Sequence, residues 1–202
     1  MDYAADHDIT LIANLNKLKK VPFKKPDNTI MVDYMSMRAI TAIIEQPDIN
    51  TPKGLRDRFF IMLLYDTGAR VQEVLNLKLG DLQLGQLPKV TLFGKGRKTR
   101  VVPLMEKTAQ HLKKYLSVFH KDTAQNVDAP LFYSVIHGNK QRLSDRRIRY
   151  VLQKYGEQAR RVCPEVPSNV YPHLLRHSRA MHLYQEGMDL TLVSQWLGHS
   201  QL

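Results

Sequence analysis

Arg70 lies in the stretch Thr-Gly-Ala-Arg-Val-Gln-Glu, just after a glycine where an apolar helix is predicted to end. An arginine there lies beside the first N–H groups of the next helix, which favour an anion. Its planar guanidinium can donate to two oxygens of one phosphate. Glu73 is three residues further on the same helical face and could hold that guanidinium. This stretch alone predicts either a phosphate site or a structural Arg–Glu ion pair.

Lys95 lies between two glycines at the tip of a predicted hairpin. Glycines let the backbone approach a ligand closely and leave the ammonium group unobstructed. Arg97, Lys98 and Arg100 add three cations within five residues. So many cations in one turn indicate an anionic partner such as DNA, although lysine-rich hairpin tips are also common on solvated surfaces.

His173 and Arg176 are three residues apart in Tyr-Pro-His-Leu-Leu-Arg-His. If Pro172 begins a helix, both side chains lie on one face. A histidine of near-neutral pKa can transfer protons while the arginine binds a phosphate. His177 is four residues after His173, a spacing that zinc ligands also use. No acidic residue lies between the two histidines and no cysteine is near, so we predict no metal site.

His199 directly follows a predicted helix in Trp-Leu-Gly-His-Ser. Gly198 permits a left-handed turn that would direct His199 away from the helix axis. The same pattern fits a helix terminus with a surface histidine.

The elements that must position these residues are mostly helices. Apolar spacing predicts a mainly α domain with one small antiparallel β-hairpin, an α+β fold. Asp33 is the predicted N-cap of the first helix and Gly68 closes the most apolar one. The predicted helices are 34–46, 55–67, 71–79, 107–119, 144–161, 173–186 and 190–197, and the hairpin pairs 90–93 with 99–103.

Positive charge is concentrated in two windows. The formal net charge is +11, and 89–121 contributes +8 while 140–161 contributes +6. Clustering of this kind is typical of proteins that bind a polyanion. The second window predicts DNA contacts at Arg146, Arg147 and Arg149, and solvated surface is the alternative.

Composition excludes several classes of protein. The longest apolar run is 59–65, far short of the roughly 20 residues that a membrane span needs, so we predict no membrane partner. The first six residues carry neither a basic nor an apolar signal region. Cys163 is the single cysteine, so we expect a reducing cytoplasm.

The four motifs together resemble the tyrosine recombinases, or phage integrases. The resemblance rests on Thr-Gly-Ala-Arg-x-x-Glu, Gly-Lys-Gly-x-Lys-x-Arg-x-x-Pro-Leu, His-x-x-Arg-His and Leu-Gly-His-Ser in that order, from about residue 32 to the end. It implies a catalytic domain that binds duplex DNA and cuts and rejoins one strand at a time without metal, ATP or another cofactor.

The resemblance also implies roles for individual residues. Arg70 and Arg176 would bind the non-bridging oxygens of the scissile phosphate, and charge stabilisation of this kind is usually the largest catalytic contribution. Lys95 would protonate the departing 5′ oxygen. His173 would act as base or proton relay for the nucleophile, and His199 would hydrogen-bond the phosphate.

Glu73 matches a supporting position beside the first arginine of the family. The family's nucleophilic tyrosine lies about nine residues after the position of His199, beyond Leu202. Tyr184 is the last tyrosine of these residues and lies before His199. We therefore expect residues 1–202 to be inactive in strand cleavage, since none of their tyrosines occupies the nucleophile's position.

The resemblance predicts two parts of the chain. The first is a leader and basic linker at 1–31, which would tether an N-terminal DNA-binding domain and place Lys24 and Lys25 along the DNA backbone. The second is the catalytic domain at 32–202. We expect a tetramer on DNA and an integrase of a mobile element. The alternatives are a DNA-binding protein without catalysis on the same fold and an enzyme similar to type IB topoisomerases.

Overall fold

Seven α-helices and two small antiparallel sheets account for the regular structure in the part of the chain that the computed structural model describes, residues 33–94, 98–121 and 126–198. The predicted leader and linker at 1–31 and the predicted site residues Lys24, Lys25, Lys95, Arg97 and His199 lie outside these residues. The helices are α1 (Met37–Glu45), α2 (Pro52–Thr67), α3 (Val71–Leu75), α4 (Glu106–Phe119), α5 (Asp145–Arg160), α6 (Pro172–Gln185) and α7 (Leu190–Leu197).

The first sheet contains the predicted hairpin and one further strand. Its order is β1 (Leu82–Gln83), β2 (Lys89–Phe93), β3 (Thr99–Pro103), with all neighbours antiparallel. The second sheet pairs β4 (Tyr133–Ile136) with β5 (Asn139–Arg142). The prediction of a single hairpin was wrong because β5, Asn-Lys-Gln-Arg, is exposed throughout and shows no alternation of apolar and polar residues.

The mainly α, α+β fold class is confirmed, and three helix ends differ from prediction by three residues or more. The first is the start of α2, which lies at Pro52 rather than at residue 55. Ser36 rather than Asp33 caps α1, because its side-chain oxygen accepts a hydrogen bond from the backbone N–H of Ala39 at 3.1 Å. The helix predicted at 71–79 stops at Leu75, and a 3-10 turn follows at Leu79–Asp81.

Helix α2 is the centre of the core. It is buried along most of its length and packs against α1, α4 and α6. On one side the rings of Phe59, Tyr115 and Phe132 lie 5.0–5.5 Å apart. Burying one such ring contributes about 1.5–3 kcal/mol. Because α2 is packed against three other helices, the position of its C-terminal end, and therefore of Gly68, is fixed.

No helix among the described residues combines the length and the apolar character that crossing a membrane requires.

Candidate active site

Arg70 is held at the sharp junction between α2 and α3. Gly68 ends α2 in the left-handed region with φ of 58°, as predicted, and its N–H donates to the carbonyl of Tyr65 at 3.1 Å. A Cβ added to Gly68 would lie 2.7 Å from Cδ2 of Leu197, so α7 packs directly against this turn. Arg70 follows as the N-cap residue of α3, and 41% of its side chain is exposed.

Glu73 holds Arg70 from inside the fold. The side chain of Glu73 is 5% exposed. Its Oε1 accepts from Nη1 of Arg70 at 3.1 Å, and its Oε2 accepts from the backbone N–H of Arg70 at 3.0 Å. Burial would raise the pKa of Glu73, but hydrogen bonds from Arg100 and Arg70 outweigh it and lower the pKa below its usual value. Glu73 is therefore an anion at neutral pH.

Arg100, predicted as a DNA contact, is directed into the fold. Its Nη2 donates to Oε2 of Glu73 at 2.6 Å and its Nε donates to the carbonyl of Trp196 at 2.9 Å. The side chain is 12% exposed. Arg100 thus joins β3 to α3 and to the C-terminal end of α7.

Arg176 reaches the same place from α6. Its Nη1 donates to the carbonyl of Gly68 at 2.6 Å and its Nη2 donates to the carbonyl of Leu197 at 2.8 Å. A guanidinium has five N–H groups, so these two bonds leave three N–H groups that can donate to another acceptor such as a phosphate. Burial, followed by the charges of Arg70 and Arg100, lowers the pKa of Arg176 to about 10.

These contacts form a closed ring through four segments of the chain. It runs from the Gly68–Arg70 turn to Glu73, then through Arg100 to the end of α7, and through Arg176 back to Gly68. We call Arg70, Arg100 and Arg176 around Glu73 the arginine cluster. Three positive charges face one carboxylate, an excess of two that favours an anion.

Two of the predicted site residues follow glycines that lie at the arginine cluster. A Cβ on Gly94, the residue before Lys95, would lie 3.4 Å from Oε1 of Glu73. A Cβ on Gly198, the residue before His199, would lie 2.8 Å from Nη1 of Arg100. The hairpin motif and the final motif therefore both lead into the cluster.

His173 lies in the first turn of α6, three residues before Arg176, and is exposed. His177 is exposed as well. Partial desolvation of its ring by the surrounding protein, followed by the charges of His173 and Arg176, lowers its pKa. Within the described ranges, no group of three or more histidines, cysteines or acidic residues could hold a metal ion.

The other predicted DNA contacts among the described residues lie at or near the surface. Lys98, Arg146 and Arg149 are exposed, while Arg147 is half-buried. Arg149 also pairs with Asp145 one helical turn earlier, at 2.9 Å. These side chains remain predicted DNA contacts.

We did not predict from the sequence one contact that links two helices at the site, between Arg179 and Asp66. Nε of Arg179 donates to the carbonyl of Asp66 at 3.0 Å, and its Nη2 lies 3.6 Å from Oδ1 of the same residue. Burial raises the pKa of Asp66, although hydrogen bonding from Met105 and the charge of Arg179 oppose this. These contacts between Arg179 and Asp66 hold the C-terminal end of α2 against α6. Their sequence signal was slight: Arg179 follows Arg176 at helical spacing, and Asp66 immediately precedes the Thr-Gly-Ala-Arg motif.

Comparison with known proteins places these motifs among recombinases. Residues 33–202 match the model of the phage integrase family. The chain is 32% identical over 200 residues to tyrosine recombinase XerD of Staphylococcus epidermidis. The alignment covers 99% of this chain and 62% of the relative. The chain thus spans about three fifths of the length of this curated relative.

Solved structures of recombinases share the fold. The crystal structure of XerA recombinase superposes with a TM-score of 0.69 at 27% identity, covering 84% of this chain and 57% of that one. XerH site-specific recombinase, bound to its difH substrate in a pre-cleavage complex, gives a TM-score of 0.65 at 27% identity, covering 83% of this chain and 47% of that one.

Proposed function

Because this chain belongs to the phage integrase family, we propose that it is the catalytic domain of a site-specific DNA recombinase, with a leader and linker at 1–31 and the domain at 32–202. It cuts and rejoins DNA strands through a 3′-phosphotyrosyl intermediate. The observation that carries this proposal is the arginine cluster, which presents two excess positive charges beside two further motifs of the family.

The arginine cluster is suited to a phosphate in transition. Attack on a phosphodiester builds negative charge on the non-bridging oxygens, and donors already fixed in place stabilise that charge without reorganising. Arg176 is fixed by two carbonyls, and Arg70 is fixed by Glu73 while remaining partly exposed. We assign both guanidinium groups to the scissile phosphate.

Proton transfer completes the proposed reaction. The 5′ oxygen leaves poorly as an alkoxide at neutral pH, so a positioned acid lowers the barrier. We assign this role to Lys95, base or relay to His173 and a hydrogen bond to the phosphate to His199. The tyrosine's phosphodiester conserves the energy of the broken bond, so rejoining needs no nucleotide.

Duplex DNA is the proposed partner, bound by a tetramer of the protein in the cytoplasm of its cell. Support comes from the exposed cations Lys98, Arg146 and Arg149 and from the relative XerH, which was solved bound to its difH substrate. Arg97, Arg147, Lys24 and Lys25 are further proposed contacts to the backbone. We assign the protein to integration of a mobile element.

Covalent capture tests this function. A form extended past Leu202 through the expected tyrosine should form an adduct with a suicide duplex carrying the cognate site. Residues 1–202 should form none, and Arg176→Ala in the extended form should abolish it. An adduct with residues 1–202 would move the nucleophile elsewhere, to Tyr184 first. No adduct with the extended form would refute the proposed reaction.

A further inference from the structure

Arg100 has the charge and the hairpin position of a DNA contact, yet its side chain faces the protein. Lys98, two residues earlier, is exposed, whereas the side chain of Arg100 is 12% exposed. In a strand, alternate residues share a face, so Arg100 lies on the same face of β3 as Val102, which is 1% exposed. The fold therefore directs this cation inward.

Two of the three nitrogens of the Arg100 guanidinium donate hydrogen bonds within the protein. Nη2 donates to Oε2 of Glu73 at 2.6 Å, and Nε donates to the carbonyl of Trp196 at 2.9 Å. These acceptors belong to two segments that are far apart in the sequence. A planar fork with fixed donor directions can hold both at once, and a lysine ammonium cannot reproduce that geometry.

The end of α7 is shaped to receive this guanidinium. A Cβ on Gly198 would lie 2.8 Å from Nη1 of Arg100, closer than Cβ atoms approach other atoms, and 3.2 Å from Cζ, which is a tight contact. Gly198 also has φ of 72°, a conformation that favours glycine. Arg100 therefore packs against the residue that precedes His199.

We infer that Arg100 is a positioning residue for the phosphate site, an inference that rests on the proposed function. Through Glu73 it fixes the guanidinium of Arg70. Through the end of α7 it fixes the carbonyl of Leu197 that holds Arg176, together with the segment that leads to His199. Arg100 itself does not contact DNA.

Salt dependence of DNA binding separates positioning from contact. Residues 1–202 are titrated with a duplex of random sequence at several salt concentrations, as wild type, Lys98→Ala and Arg100→Met. Each phosphate contact that is lost reduces the slope of log affinity against log salt by about 1. We expect that loss for Lys98→Ala. Arg100→Met is compared in a background of Arg70→Ala and Arg176→Ala, which already removes the two guanidinium groups that Arg100 positions, and there it should leave the slope unchanged. A further reduction of the slope by Arg100→Met in that background would overturn the inference.

The second measurement reports on Arg70 directly. Inorganic phosphate is titrated at constant ionic strength into wild type, Arg100→Lys and Arg100→Met, and the side-chain Nε–H signal of Arg70 is followed by NMR. Lysine retains the charge but loses the fork. We expect both variants to bind phosphate about tenfold more weakly, as when one charge-assisted hydrogen bond is misplaced.

The conservative variant decides between position and charge. Wild-type phosphate affinity in Arg100→Lys would mean that Arg100 supplies charge alone, and would overturn the inference. Cooperative urea unfolding establishes that each variant is folded, and Arg100→Gln replaces Arg100→Met if the latter is not.

Failure of the proposed function gives a different result. In that case the Arg70 signal of the wild type would not respond to phosphate at all. The inference is then decided by the same signal without phosphate. We expect it to move towards its unfolded position in both Arg100→Lys and Arg100→Met, and an unmoved signal would overturn the inference.

Discussion

Glu73→Gln removes the one carboxylate of the arginine cluster while keeping the size of the side chain. Glu73 accepts three hydrogen bonds from two arginines, at 2.6, 3.0 and 3.1 Å, and its side chain is 5% exposed. In the variant, Arg70 and Arg100 keep their charges beside the charge of Arg176, with no anion between them. The glutamine also offers one acceptor oxygen where the carboxylate has two.

The expected loss of stability is large. Removing one partner of a buried ion pair costs about 3–5 kcal/mol, because it leaves an uncompensated buried charge. Arg70 is partly exposed and water can relieve it, so we expect the lower end, about 3 kcal/mol. For a domain of this size, that corresponds to a melting temperature lower by about 6–12 °C.

Acid should reduce this difference. The folded-state pKa of Glu73 lies below its unfolded value, so its contribution is present above the unfolded pKa of about 4.3. The contribution is lost as the pH falls through the folded pKa, because the wild type then carries a neutral carboxyl as well. The two proteins should therefore approach equal stability at low pH.

Urea unfolding of both proteins, from pH 7 downwards, measures this effect. The control is Glu165→Gln, which breaks an ion pair with Arg38 at 3.3 Å on the surface, where the two side chains are 48% and 73% exposed. An exposed pair contributes about 0–1 kcal/mol, so the control should lose little. A loss at Glu73 no larger than at Glu165, or one that grows in acid, would refute the reasoning.

Three further predictions concern DNA, the leaving group and the end of α7. Residues 1–202 should bind duplex DNA weakly with little sequence preference, and log affinity in a titration should fall by about 0.9 per log unit of salt for each phosphate contacted; salt-independent affinity would contradict this. In the extended form, Lys95→Ala should slow cleavage by about 10²–10⁴-fold in single-turnover assays. A 5′-thio leaving group needs no proton, so it should restore the cleavage rate of Lys95→Ala but not that of Arg176→Ala. Rescue of both, or of neither, would remove Lys95 from the acid's role. Gly198→Ala should lower the free energy of unfolding in urea by about 1–2 kcal/mol more than Gly187→Ala does. Both glycines have positive φ (72° and 92°), but only the methyl group added at Gly198 would meet Arg100, at 2.8 Å. Equal losses of stability would refute the packing of Arg100 on Gly198.

Local signals in the sequence were enough for much of the fold. Gly68 marks the end of α2 because only a residue that tolerates positive φ closes a helix in this way. Ser144 caps α5, where its side chain accepts from the backbone N–H of Arg147 at 3.2 Å. The Asp33 cap was wrong because Ser36, three residues later, offers the same kind of acceptor. Capping chemistry and apolar spacing act within a few residues, so they can be read without the tertiary structure.

The types of the site residues could also be read from the sequence, whereas their orientation could not. On β3, Val101 and Val102 are both apolar, so alternation alone does not say which face is buried. Packing buries Val102 and leaves Val101 about half exposed, and that choice turns Arg100 inward to Glu73.

The closed ring of contacts at the arginine cluster is a property of the tertiary structure alone. Four of its five hydrogen bonds join residues that are 21 to 108 positions apart in the chain, as from Arg100 to Glu73 and from Arg176 to the carbonyl of Gly68. Main-chain carbonyls carry no side-chain identity, so no motif announces that they hold Arg176. The sequence determined which charged groups are present and which helices carry them. Packing of α6, α7 and the hairpin around α2 decided which of those charges are neutralised within the fold and which remain in excess to bind an anion.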